Sequence, residues 1–216
     1  MKRKQTKRSV GAKQRAAMKQ ESVALRDTIV LYKRVLSPQI CSEIIERFEH
    51  DPRRQPSATA AGILPSKRQG VQVKMENHPE WADLKKTVTD KLIQCLYDYA
   101  GRFQAIEFIL KFEDFELSSP IIERASAGQG FDWHIDSGPH GTARRFLSAL
   151  MYLNAVNDGG QTEFPMQGLS VAPRQGTTVI FPPYWMYPHR GIPPTQEPKY
   201  KLTAYFMIVG KDQAID

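Results

Sequence analysis

His134 and Asp136 stand two residues apart in the run FDWHID, and His189 follows the aromatic segment YWMYP further along the chain. Alternation along a strand sends Asp132, His134 and Asp136 to one face and Trp133 and Ile135 to the other. A neutral imidazole and a carboxylate so placed can grip one metal ion, and His189 completes a set of two nitrogens and one oxygen. Such a set occupies one face of an octahedral iron and leaves three positions open. It also suits tetrahedral zinc in a hydrolytic site, so ligand identity alone leaves both metals open. The other histidines read as cap or loop residues: His50 closes a predicted helix, His78 precedes Pro79 and His140 lies in the turn GPHG.

These side chains need elements to hold them. The run TIVLYKRV (28–35) predicts a strand, and Ser37-Pro38 resembles an N-cap followed by proline at the first helical position. A helix over 38–50 would place Ile40, Ile44, Ile45 and Phe48 on one face. Residues 51–68, rich in Pro, Arg, Ser and Ala and without periodicity, read as a mobile loop. After Pro79, the residues Trp81, Leu84, Val88, Leu92, Leu96 and Tyr99 recur at helical spacing, so a helix over 79–100 should pack against a larger element. From Ile106 onward the pattern changes to short β-like runs: IEFILKFEDFEL, PIIERAS, FDWHID, RFLSALMYLN, LSVAP, TTVIFPP and YKLTAYFMIV. Turn residues separate them, which predicts a sandwich or barrel rather than alternating strands and helices. The fold class expected is mainly β with flanking helices. The divisions are 1–20, a basic tail; 21–112, a strand and helices supporting the core; and 113–210, the β-core.

Composition sets the outer bounds. Of 216 residues, 41% are hydrophobic and 25% charged, ordinary globular usage with enough apolar material for a core. The net charge of +7 is unevenly spread. Residues 1–20 carry Lys2, Arg3, Lys4, Lys7, Arg8, Lys13, Arg15 and Lys19 and no acid, so the remaining 196 residues hold 22 bases against 23 acids. A short single-sign segment poor in apolar residues cannot offset its ordering entropy by burial, so the tail is expected to be disordered when free. It reads as a solubilising extension or as a tether making non-specific contact with nucleic acid. No run reaches the roughly 18 apolar residues of a membrane-spanning helix, and no apolar signal region follows the basic start. A soluble, intracellular, cytoplasmic protein without a membrane partner is the expectation. Cys41 and Cys95 lack metal or redox spacing and read as buried free thiols.

The surroundings of the three ligand candidates narrow the reading. GQGFDWHID, RRFLSALMYLN, GGQTEFP, GTTVIFPP, His189 and KYKLTAYF (199–206) resemble, in order and spacing, the catalytic core of the prolyl 4-hydroxylase-like branch of the 2-oxoglutarate- and Fe(II)-dependent dioxygenases. The resemblance spans about residues 113–210. It includes the turn G-G-x-T-x-F-P and a lysine ten residues after the distal histidine. It implies a double-stranded β-helix, or jelly roll, with His134, Asp136 and His189 binding Fe(II). It also implies that Lys199 holds the far carboxylate of 2-oxoglutarate, with O2 as second co-substrate and ascorbate as an accessory reductant. Lys201 falls on the same face of its strand as Lys199 and is the reserve candidate. Tyr152 and Thr203 match positions whose hydroxyls line that pocket. Many relatives carry a tyrosine about ten residues before the first histidine, where this chain has Arg124, Ala125 and Ser126. That departure leaves Tyr152 and Lys199 with more of the work.

The reaction implied is hydroxylation of a substrate C–H bond, with 2-oxoglutarate converted to succinate and CO2. No Ser/His/Asp or paired-carboxylate arrangement competes with it, and Asp132 and Glu163 read as solvent-facing or turn acids. The resemblance favours a protein or peptide substrate hydroxylated at proline. An aromatic lip of Trp133, Tyr184, Trp185 and Tyr187 could hold the ring, and the 51–68 loop with Arg144 and Arg145 could close over a chain. The alternatives are a nucleic-acid or nucleotide oxygenase of the same superfamily and a catalytically silent jelly-roll binding module. A zinc hydrolase leaves the lysine spacing and the G-G-x-T-x-F-P turn unexplained.

Overall fold

A computed structural model describes residues 22–209 except 27, 60, 77, 113 and 139; the expected tail at 1–20 lies outside the described residues. The first strands, β1 (Ser22–Arg26) and β2 (Ile29–Tyr32), pair antiparallel. Helix α1 (Pro38–His50) starts as its sequence predicts: the Ser37 hydroxyl accepts from the Ile40 N–H at 3.3 Å and Pro38 occupies the first turn. Helix α2 (Ala82–Arg102) follows a 3-10 turn at Pro79–Trp81 and buries Leu84, Val88, Leu92, Leu96 and Tyr99.

Residues 51–68 are tied at several points. Asp51 accepts from Arg53 and from the Trp81 indole, β3 (Gln55–Pro56) pairs with β4 (Val71–Lys74), and Thr59 bridges Gly62. The run from Ile106 divides into a helix, α3 (Gln104–Phe112), and a shorter strand, β5 (Asp114–Leu117). Ile106 and Leu110, four apart, pack with Phe103 on the core, so helical spacing overrides the β-like composition.

The remaining strands are β6 (Ile121–Ala125), β7 (Phe131–His134), β8 (Arg145–Tyr152), β9 (Thr162–Phe164), β10 (Leu169–Val171), β11 (Thr178–Phe181), β12 (His189–Gly191) and β13 (Lys199–Val209). The sequence pattern marked neither β9 nor β12, because three residues are too few to show a period. Nine strands form one sheet, in the order β1-β2-β11-β8-β13-β6-β4-β3 with β5 also on β13; β10-β9-β12-β7 form a second.

The result is three layers. Leu147, Ala149 and Met151 of β8 and Leu202, Ala204 and Phe206 of β13 point into one cluster with Ile44, Phe48, Leu92 and Leu96 of the helices. On the opposite face, Leu150 and Tyr152 join Val179, Phe181 and Phe164 in a second cluster between the sheets. Period-two alternation thus lets each central strand serve two cores. Among the described residues no helix is long and apolar enough to cross a membrane. Cys41 and Cys95 are buried and unbridged, with burial pushing their thiols up to about 11 and about 12.

Candidate active site

The smaller sheet brings the two histidines face to face. Strands β7 and β12 pair with His134 opposite His189 and Phe131 opposite Gly191, so β7 spends one more residue than β12 over the same span. This bulge breaks the strict alternation expected for FDWHID. Phe131 and His134 come to one side and stack at 3.5 Å between centroids. Asp132 turns away: its carboxylate accepts from Lys67 and from the Trp133 N–H, both exposed. The neighbouring turn is held by the G-G pair. A side chain at Gly159, whose φ is +76°, would collide with the Pro193 carbonyl.

Each histidine is fixed by its own backbone. His134 Nδ1 lies 2.7 Å from the Asp132 carbonyl and His189 Nδ1 3.1 Å from that of Tyr187. A carbonyl only accepts, so both Nδ1 atoms carry the proton and both Nε2 atoms present a lone pair. Burial and the proximity of His189 push His134 down to about 3, and burial likewise lowers His189, so both rings are neutral at pH 7. Asp136 is fully enclosed, which alone would raise its carboxyl; the adjoining His189 and His134, the Ser148 hydroxyl and Arg145 outweigh burial and hold it below the usual value. Ser148 donates to Oδ2 at 2.7 Å, Arg145 donates to the Asp136 carbonyl at 2.8 Å, and the N–H groups of Asp136 and Ser137 donate to the Pro183 carbonyl.

His134 Nε2 and His189 Nε2 each stand 3.6 Å from an Asp136 oxygen. That is too long for a hydrogen bond, and one ligand atom from each of the three residues lies within 4.8 Å of the other two. Three converging acceptors with no proton among them match what a divalent metal requires, neutral imidazoles and an ionised carboxylate. The donor set fits Fe(II).

Beside the three residues lies a small pocket, about 30 Å3, walled by Arg68, Thr162, Lys199, Lys201, Thr203 and Tyr205 among others. The sequence-predicted residues of β13 all reach it, and they are not equivalent. Lys201 donates to Glu123 and to Thr203 Oγ1, and the Thr203 hydroxyl donates to Glu123 at 2.8 Å. The Tyr152 hydroxyl donates to Thr162 Oγ1 at 2.8 Å. Lys199 is buried, meets no carboxylate among the described residues, and has its ammonium 5.4 Å from the Tyr152 ring centre. Burial, reinforced by the Lys201 charge, pushes Lys199 down to about 7.

Register accounts for the difference: Lys199 stands across from Ala125, Lys201 across from Glu123. The expected partners of the substrate fare differently. Arg145 lies over the Tyr205 ring at 3.7 Å and Arg144 donates to the Ile208 carbonyl, so both arginines are engaged with the framework. Tyr187 is buried with its hydroxyl 2.6 Å from Thr28, so of the four aromatics expected at a lip only Trp133, Tyr184 and Trp185 are exposed, the last by 70%. Glu163 pairs with Arg190, whose guanidinium stacks over Trp133 at 4.5 Å.

Sequence reasoning passed over Ser148, Tyr205, Glu123, Thr162 and Arg68. Ser148 shares a face with Leu150 and Tyr152, so the alternation that exposed the β13 face would have found it. Tyr205 continues the face of Lys199, Lys201 and Thr203, and Thr162 is the threonine of the G-G-x-T-x-F-P turn. Arg68 had no signal, because it arrives from the aperiodic segment and pairs with Glu123 across the molecule.

Comparison with known proteins follows the same lines. Residues 121–207 match the family model of the 2OG-Fe(II) oxygenase superfamily. Among solved structures, the chain is similar to the viral collagen prolyl hydroxylase of Paramecium bursaria Chlorella virus-1 in its 2-oxoglutarate complex, at TM-score 0.64 and 18% identity, covering 85% of this chain and 97% of that one. It is similar also to a prolyl-4-hydroxylase of Pseudomonas putida, at 0.61 and 20%, covering 85% and 94%. A third is a prolyl hydroxylase from Trichoplax adhaerens in complex with a hypoxia-inducible-factor peptide fragment, at 0.67 and 15%, covering 83% of each chain. At these identities the likeness shows the fold. No curated protein matches the chain.

Proposed function

We propose that this 2-oxoglutarate- and Fe(II)-dependent oxygenase, which takes Fe(II), 2-oxoglutarate and O2, hydroxylates a proline C–H bond in a protein or peptide. His134, Asp136 and His189 are assigned to the metal, and Lys199 to the distal carboxylate of 2-oxoglutarate. The observation that carries the assignment is the juxtaposition of three side chains that can hold a metal ion with a buried ammonium that has no counter-ion among the described residues. A buried charge without a partner costs several kcal/mol, and an anionic co-substrate placed there would remove that cost.

Fe(II) held by His134, Asp136 and His189 would supply the oxidising power, with one oxygen atom of O2 going to succinate as 2-oxoglutarate loses CO2 and the other to the substrate C–H bond. The chain contributes placement. The Asp132 and Tyr187 carbonyls hold the imidazole planes, Ser148 and Arg145 hold Asp136, and Phe131, Phe164 and Phe181 pack round the two histidines and keep water away. The exposed rings of Trp133, Tyr184 and Trp185 offer the flat apolar surface that a proline-containing chain in an extended helix prefers. This substrate assignment is supported by the structural neighbours, which are prolyl hydroxylases, and by those rings.

The test is succinate formation from 2-oxoglutarate by the purified protein with Fe(II) and ascorbate, then with proline-containing peptides. Turnover that is lost in His189→Ala and rises with a peptide that gains one oxygen atom in mass supports the reading. Peptide-independent turnover with no oxygen incorporated into any proline peptide would refute the substrate assignment.

A further inference from the structure

The wall of the co-substrate pocket carries four cations, Arg68, Arg190, Lys199 and Lys201; Arg190 is paired with Glu163, and Arg68 and Lys201 are both paired with Glu123, which stands behind that wall. Glu123 is buried in the middle of the sheet, where β6 lies between β13 and β4. It takes hydrogen bonds or ion pairs from three groups: the Arg68 guanidinium, the Lys201 ammonium and the Thr203 hydroxyl. Register places it there, because Glu123 faces Lys201 on one side and Gln72 on the other, while Ala125, two residues on, leaves Lys199 unmatched. Arg68 comes from outside the 121–207 stretch. It is anchored by its bond to the Ala58 carbonyl at 2.8 Å and by the Phe131 ring at 4.5 Å, so the acid is held from both sides.

We propose that Glu123 is a specificity-determining residue for the co-substrate: by occupying Lys201 and Arg68, as Glu163 occupies Arg190, it leaves Lys199 as the one uncommitted cation of the pocket among the described residues, and matches the pocket to a keto acid with one distal carboxylate. Without the acid, three uncommitted cations would face the same small space, and ligands of higher negative charge would gain on 2-oxoglutarate. Electrostatic complementarity of this kind acts on discrimination more than on the affinity for the preferred ligand. The inference rests on the assignment of Lys199 made above. It assigns Glu123 no contact with the co-substrate, acting instead through the two cations it binds.

The experiment is calorimetric titration of the Mn(II)-loaded full chain with 2-oxoglutarate and, separately, with citrate as a tricarboxylate probe. Glu123→Gln keeps the size and one acceptor while removing the charge. The ratio of citrate to 2-oxoglutarate affinity should rise about tenfold or more in this variant. Lys201→Gln alone should leave 2-oxoglutarate affinity within about twofold, and the double variant should return the ratio toward that of the wild type. An unchanged ratio in Glu123→Gln overturns the proposal. Should that variant fail to fold, the Lys201→Gln titration decides, because a tenfold loss of 2-oxoglutarate binding would make Lys201 the ligand cation and leave Glu123 nothing to reserve. Lys199→Met separates the underlying assignment: wild-type binding of 2-oxoglutarate there refutes the Lys199 role itself, independently of the citrate ratio.

Discussion

The two faces of β13 are buried to similar depth and built from opposite chemistry. Toward the helices it presents Leu202, Ala204 and Phe206; toward the smaller sheet it presents Lys199, Lys201, Thr203 and Tyr205. Phe206 is fully buried and Lys199 only 4% exposed. Burial of the first kind stabilises at roughly 25 cal/mol per Å2 of apolar surface. Burial of the second kind costs free energy until a partner arrives. One strand therefore joins a face that holds the fold together to a face that the fold must carry, and ligand binding is where the second repays the first.

If the two faces divide labour in this way, substitutions should separate activity from stability. The largest effect on function is expected from His134→Ala or Asp136→Ala, which should abolish metal binding and succinate formation. Metal titration followed by spectroscopy checks this, with the thermal midpoint of the metal-free protein as control. On the other face, Phe206→Ala should destabilise by about 3–5 kcal/mol in chemical denaturation without altering the affinity of the folded protein for metal. Lys199→Met should reverse the pattern. The 2-oxoglutarate requirement should rise by about a hundredfold, since a charge contact is worth 2–5 kcal/mol, while the unliganded protein becomes more stable by about 1–4 kcal/mol. A Lys199→Met protein that is less stable than wild type would break the comparison.

A smaller effect is expected from Ser148→Ala, about 10–100-fold in metal affinity, because the hydroxyl orients the Asp136 carboxylate from outside the three-residue cluster. The subtlest test is pH. Lys199 titrates near 7 in the folded protein and near 10.4 when unfolded, so the unfolded chain binds more protons between those values. The penalty for burying its charge is full below about pH 7 and fades as pH rises toward 10. The stability difference between wild type and Lys199→Met should shrink over that window. The affinity for 2-oxoglutarate should fall over the same window, as the ammonium gives up its proton.

Much of this was legible from residue order. The Ser37 cap, the α2 stripe from Leu84 to Tyr99 and the alternation in KYKLTAYF each record a period long enough to read. Contacts that depend on register were not legible. That Lys201 faces Glu123 while Lys199 faces Ala125 follows from how β13 lies against β6, and a shift by two residues would exchange their roles without changing a letter. The bulge in β7 likewise separates Asp132 from His134 in a way no alternation rule foresees. Arg68 is the extreme case, a site residue delivered by a segment with no period, across a sequence gap that only the folded chain closes.

The position of β13 also governs how the molecule is made. It is the last strand of the described residues, yet it lies between β8 and β6 in the middle of the larger sheet. A ribosome must release residues through Val209 before that sheet can close. Until then β8 and β6 expose two unpaired edges, the condition under which strands pair with the wrong chain. Folding therefore awaits the strand that bears Lys199, and a nascent chain shortened before it loses sheet and pocket together.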